Sequence, residues 1–195
     1  MQRLWAAHWS VTRAQPGSVR CATVARVLTD AQAERLQACA RVLKPPARVV
    51  MTGNVAPEAL AAVRAGAGAG VEVIVLSATE VSGVEGSIDV LFVGPASPYS
   101  VAVEMFQHWP GRVVPGGTLF VHGAFALAPL TAALLRTVGA ARAWRYFGRE
   151  GTLAEYVRAD LSHGERVLDA IAQAAQMRSF TRRLARRRAA ALRSP

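Results

Sequence analysis

The chain has 195 residues, 52% of them hydrophobic, and a formal net charge of +10. That length and apolar content fit one folded domain and exclude a disordered chain. Two separated cysteines, Cys21 and Cys39, exclude a disulfide framework or a zinc ribbon and read as free thiols in a reducing compartment.

Residues 1–28 form a lead segment with Trp5 and Trp9 at helical spacing and no apolar run long enough for a signal peptide. Thr29-Asp30 reads as a helix start, and the helix would run to about Leu43 before Pro45-Pro46 stops it. Ala47 to Thr52 is a short apolar strand, followed by a Gly53-Asn54 turn and a helix from Pro57 to Ala65. Gly66 to Gly70 is a turn. Val71 to Leu76 reads as a strand buried on both faces. Next come a strand from Ile88 to Val93 and a helix from Ser100 to Trp109. A Pro115-Gly116-Gly117 turn leads to a strand from Thr118 to Val121, which ends at His122. Leu130 to Val138 is a buried helix. Ala143 to Phe147 and Leu153 to Val157 make a last antiparallel pair around a turn at Gly148 to Gly151. The uncharged stretch from Val113 to Leu135 contains too many Pro and Gly residues for a membrane span and reads as strand, loop and helix.

Strands alternating with helices predict an α/β fold with a Rossmann-like, mostly parallel sheet and helices on both faces. Residues 29–160 would be this domain, and 161–195 a basic helical tail. The tail holds seven arginines between 178 and 193, and no acid follows Asp169. Its apolar positions include Val167, Ile171, Ala174, Ala175, Met177, Phe180, Leu184 and Leu192, with the arginines mostly on the other face. Three partners suit it: an anionic membrane surface, with Phe180, Leu184 and Leu192 dipping in, an acidic protein, or nucleic-acid phosphate. A merely solvated basic terminus suits it too. No aromatic platform accompanies the arginines, which ranks nucleic acid last. The contact residues would be Arg178, Arg182, Arg183, Arg186, Arg187 and Arg188.

Four pieces of sequence carry a specific resemblance: LTDAQAERLQACARVLKPPARVV, SIDVLFVG, W-x5-PGGTLFVH and WRYFGREGTLAEYVRADL. Together they resemble small actinobacterial class I S-adenosylmethionine-dependent methyltransferases, the branch with a "vDgaH…pGG…vHD" signature, over about residues 28–160. The resemblance implies a cofactor site at the ends of the first strands, where family members carry E-x-G-x-x-x-G. Here Met51 stands for the acid, Gly53 for the first glycine and Pro57 for the second. Ser77 replaces the acid that would hold the ribose, with Glu72 and Glu80 nearby. Only eleven residues separate Leu76 from Ile88, so one βα unit of the family is missing.

At the reaction site the family's metal-binding Asp positions are Gly94 and Gly123, and its His position is Ser97. A lone Glu104 is a poor hard-ion site, so no metal is expected. Gly53, Asn54, Ser77 and Gly94 remain as vestigial cofactor contacts, and His122 as the candidate base. Tyr99, Glu104, Trp109 and His122 are what survives at the reaction site, with Trp109 and Phe125 read as packing residues and Asp89 as making a structural hydrogen bond.

Losing one charged hydrogen bond costs about 1.5–3 kcal/mol. Two or three such losses move a micromolar site to millimolar. The resemblance therefore implies a catalytically degenerate methyltransferase-like domain, a pseudoenzyme that doubtfully holds S-adenosylmethionine. It would be a cytoplasmic binding or regulatory module, paired with an active relative or another protein or lying at the inner membrane face. The alternative is an active O-methyltransferase with a rearranged site for a glycan, lipid or small hydroxyl substrate.

Overall fold

The computed structural model describes residues 27–191, apart from 79, 81–83 and 97. Trp5, Trp9, Cys21, Ser97 and Leu192 lie outside the described residues.

Thr29 caps the first helix, α1 (Asp30–Arg41), in a reciprocal capping box with Gln32. Asp30 in its first turn and Arg41 in its last complement the helix dipole. Strand β1 (Ala47–Thr52) follows, then α2 (Pro57–Gly66), which opens on Pro57 because that position needs no N–H. Gly66 lies directly against α1, where an added Cβ would meet the Ala40 side chain at 2.9 Å, so the glycine sets how closely the two helices pack. The remaining elements are β2 (Val71–Leu76), β3 (Ile88–Val93), α3 (Tyr99–His108), β4 (Val113–His122), α4 (Ala128–Leu134), β5 (Trp144–Glu150), β6 (Leu153–Arg158) and α5 (His163–Ala191). A wider helical turn, Leu135–Gly139, extends α4.

One six-stranded sheet runs in the order β2-β1-β3-β4-β6-β5. The first four strands are parallel, and β6 and β5 add an antiparallel end. Helices α1 and α2 cover one face over Val49, Met51, Val90, Phe92 and Phe120. On the other face, α3, α4 and α5 enclose Leu91, Leu119, Val121, Trp109, Phe125 and Tyr156. This is the Rossmann-like architecture the strand–helix alternation predicts.

The sheet is one βα unit short. β2 is its outer strand, and residues 77–87 are all that separate it from β3; no helix occurs among the described residues of this strap. Val84 anchors the strap in the core, and the guanidinium of Arg112 donates to its carbonyl. Arg48 ties the same corner by pairing with Glu72 at 2.7 Å, while its backbone N–H donates to Asp89 Oδ2 at 2.7 Å.

Three expectations need correction. β2 is not buried on both faces: as the edge strand it leaves Val75 43% exposed, because the apolar run marks burial potential but not sheet position. Pro115-Gly116-Gly117 is not a turn ahead of β4. It bulges from within the strand, which pairs Ile88 with Val113 and then Val90 with Thr118. Gly116 has φ +80°, and a side chain on Gly117 would meet the Asp89 carbonyl oxygen at 2.8 Å. Third, the apolar residues of the tail do not share one face. Phe180 is buried against the domain, while Val167 and Ile171 are exposed. Within α5 the side chains are described as far as 177 and at 180, 181 and 185, so those of all six candidate arginines lie outside the description.

Candidate functional site

In an open α/β sheet the ligand crevice lies beyond the carboxyl ends of the parallel strands. Here those ends carry Thr52-Gly53-Asn54, Ser77, Gly94-Pro95 and His122, so the fold does bring the candidate residues to one edge. Their polar backbone groups, however, are already engaged with one another. The Gly94 N–H donates to the Thr52 carbonyl at 2.8 Å, the Asn54 N–H to the Pro95 carbonyl at 3.3 Å, and the Val55 N–H to the Gly53 carbonyl at 3.0 Å. The loops after β1 and β3 thus continue side by side past the strand ends. A Cβ added to Gly94 would lie 2.7 Å from the Asn54 carbonyl carbon. The space a missing side chain leaves at Gly94 is filled by protein backbone. Gly53, at φ +85°, would meet the Gly94 carbonyl oxygen and the Met105 methyl, both at 3.1 Å.

The end of β2 is also self-contained. The Thr52 hydroxyl donates to the Ser77 carbonyl at 3.2 Å. The Ser77 N–H and hydroxyl both donate to Glu80 Oε2, at 3.2 and 3.4 Å. Glu80 therefore folds a carboxylate back to the position where Ser77 stands for an acid. At the end of β1, Met51 is wholly buried among apolar neighbours.

His122 ends β4 on the α1/α2 side of the sheet. Alternation along the strand sets it in line with Phe120, and its ring lies 6.3 Å from that of Phe92. It has no exposed surface, and neither ring nitrogen has a hydrogen-bond partner. Burial lowers its pKa to about 4, so the imidazole is neutral at pH 7. A base must reach the proton it takes, and this ring has no exposed surface. His122 stands at the strand end where the sequence places it, and its side chain is buried there.

The other residues are placed as follows. Asp89 makes the structural hydrogen bond to Arg48 already described, and Glu104 is exposed on α3. Trp109 and Phe125 are fully buried, and Tyr99 is exposed within 3.5 Å of Arg136. Among the described residues, no three His, Cys, Asp or Glu side chains stand close enough to hold a metal ion.

Two features carry little sequence signal. Phe125, a bulky residue, has φ +56° and is held by its N–H donating to the Thr131 hydroxyl at 2.9 Å. Arg35 of α1 and Glu155 of β6, 120 residues apart, form a bidentate pair at 2.8 and 2.6 Å. They line a cleft of about 200 Å³ with Phe120, Phe147 and Arg149. The Arg35 guanidinium stacks 5.6 Å above the Phe147 ring. Beside them burial pushes the Cys39 thiol up to about 11, which removes it as a nucleophile at neutral pH.

The fold is that of class I methyltransferases. An O-methyltransferase from Bacillus cereus, solved with S-adenosylhomocysteine, superposes with a TM-score of 0.51 at 10% identity, covering 76% of this chain and 93% of that one. The S-adenosylhomocysteine-bound methyltransferase PaMTH1 of Podospora anserina gives 0.52 at 12% identity, covering 75% and 89%. The O-methyltransferase TomG of Streptomyces achromogenes, solved with S-adenosylmethionine, gives 0.50 at 13%, covering 76% and 92%. At these identities the likeness is one of fold. No protein-family model matches the sequence, and no curated protein sequence matches it either.

S-Adenosylmethionine is the cofactor this fold implies, and several backbone groups at the strand ends where it would sit are engaged with one another. Its ammonium asks for a carboxylate or carbonyls, and the carbonyls of Thr52, Gly53 and Pro95 each already accept one neighbouring N–H, which leaves each a second lone pair. Its carboxylate asks for free N–H groups, and those of Asn54, Val55 and Gly94 are spent. The Glu80 carboxylate accepts both Ser77 bonds through Oε2 alone.

Proposed function

We propose that this chain is a methyltransferase-fold pseudoenzyme, a domain that keeps the sheet and helices of the class and acts by binding rather than by methyl transfer. The observation that carries this reading is the closure of the β1 and β3 loops, with the Asn54 backbone seated where a side chain on Gly94 would be. The buried position of His122 supports it from the acceptor side. Opening the loops for a cofactor would give up the hydrogen bonds of Asn54 and Gly94, at about 1 kcal/mol each.

The test is methyl transfer by the full chain from labelled S-adenosylmethionine to glycan, lipid and phenol acceptors, with His122→Ala alongside. The reading expects label incorporation at the level of buffer in both. Transfer by the wild type that disappears in His122→Ala would overturn it.

One observation favours the second reading, an active O-methyltransferase with a rearranged site. A neutral imidazole with two unbonded nitrogens at a strand end has the protonation state of a base awaiting a hydroxyl. That reading requires His122 to become exposed, and it predicts the positive outcome of the same assay.

A further inference from the structure

Helix α5 meets the domain with a mixed side, Asp169 and Gln173 beside Met177 and Phe180, and leaves a run of aliphatic residues outside. Among its described side chains, Asp169, Gln173 and Phe180 are buried. Asp169 Oδ1 accepts the Tyr146 N–H, which caps an edge-strand donor of β5. Its other oxygen accepts from Gln173, and Gln173 Oε1 accepts the Tyr156 hydroxyl at 3.3 Å. On the far side Val167, Leu168 and Ile171 are 47, 69 and 61% exposed. These three residues belong to neither core cluster, although an amphipathic helix normally turns such residues inward. A contiguous aliphatic patch on the outer face marks an interaction surface.

The same sector of the helix continues beyond the patch. At about 100° per residue, positions 167, 168, 171, 174 and 175 share one face, and 178, 182 and 186 prolong it. The backbone is helical through Ala191, and the sequence places alanines at 174 and 175 and arginines at 178, 182 and 186. By backbone position this sector therefore passes from aliphatic residues to Arg178, Arg182 and Arg186, which correct the expectation that the arginines lie mostly opposite, along a helix of about 43 Å. No acid follows Asp169 in the chain, and Glu165 near the start of the helix is paired with Arg145.

We propose that this face of α5 lies on an anionic lipid surface, with Val167, Leu168 and Ile171 entering the acyl boundary and the arginines of the second half meeting headgroup phosphates. Both halves of the face are then used: aliphatic burial holds the helix in the interface plane and positive charge selects acidic lipid. A nucleic acid would take the arginines and leave the aliphatic patch in water. The insertion set differs from the one the sequence suggests, because Phe180 is committed to the core. The inference stands apart from the state of the cofactor site.

The experiment is co-sedimentation of the full chain with vesicles of phosphatidylcholine alone or with one-third phosphatidylglycerol, at low and high salt. Binding is expected only with the acidic lipid, falling at least about tenfold as salt screens the surface. The triple variant Val167→Gln, Leu168→Gln, Ile171→Gln keeps good helix formers at exposed sites and should melt like the wild type. It should bind at least about tenfold more weakly. Arg182→Gln with Arg186→Gln should lose about 30-fold. Equal binding to both vesicles, undiminished binding of the triple variant, or full displacement by polyuridylic acid would each overturn the proposal. The last outcome would identify a nucleic-acid surface instead.

Discussion

Replacing His122 with leucine should stabilise this protein. The side chain is wholly buried and neither ring nitrogen is bonded. An unpaired buried polar group costs about 1–3 kcal/mol. Leucine has nearly the same volume and no polar atom, so His122→Leu should gain about 1–2 kcal/mol at pH 7, or about 3–6 °C in Tm for a chain of this size. The pH dependence is the sharper signature. Burial lowers the His122 pKa from 6.5 to about 4 in the folded state. Below pH 6.5 the unfolded chain takes up a proton that the folded one refuses, so this contribution is complete above pH 6.5 and is lost as pH falls towards 4. At pH 4.5 the wild type should have lost about 2–3 kcal/mol through this residue. The leucine variant should lack that part of the slope. Urea unfolding followed by circular dichroism, at half-unit steps from pH 7.5 to 4.5, measures both effects. A variant less stable than wild type at pH 7, with an unchanged acid slope, would show that His122 has a bound partner and would refute the reasoning.

Gly94→Ala should destabilise by about 2–4 kcal/mol, since its Cβ would press on the Asn54 carbonyl and part the two loops; a Tm within 2 °C of wild type would contradict the closed geometry. Arg35→Met leaves the nearly buried Glu155 carboxylate unpaired and should cost about 2 kcal/mol, an amount reduced because Arg35 itself is 42% exposed. Arg35→Met with Glu155→Met should recover most of that loss in urea titration, and additive losses would argue against coupling of the pair.

The architecture is written locally and is therefore readable. Thr29 and Gln32 start α1, Pro45-Pro46 ends the segment, and the apolar strands and the Pro at the head of α2 follow standard local chemistry. The missing βα unit is legible as eleven residues where a helix and a strand would need more. Neighbours across the sheet are less readable. Val71 to Leu76 has the composition of a central strand, and only the topology makes it an edge. Helical spacing groups Phe180 with Val167 and Ile171 as apolar, but Asp169 and Gln173 also sit on the docking face of α5, where they accept hydrogen bonds from Tyr146 and Tyr156 on strands more than ten residues away. At the candidate site, the loss of acids is visible at Met51, Ser77 and Gly94. The filling of the resulting space by Asn54, and the return of a carboxylate through Glu80, depend on loop paths that residue identity does not encode.

The central claim is that the carboxyl ends of β1 and β3 are closed to the cofactor of this fold. Calorimetric titration of the full chain with S-adenosylmethionine and S-adenosylhomocysteine tests it most directly. The account predicts no saturable heat at ligand concentrations of about 1 mM, the range to which loss of two or three charged contacts moves a micromolar site. A saturable isotherm with micromolar Kd for either compound would show that the Asn54–Gly94 contact opens to admit the cofactor and would contradict the account.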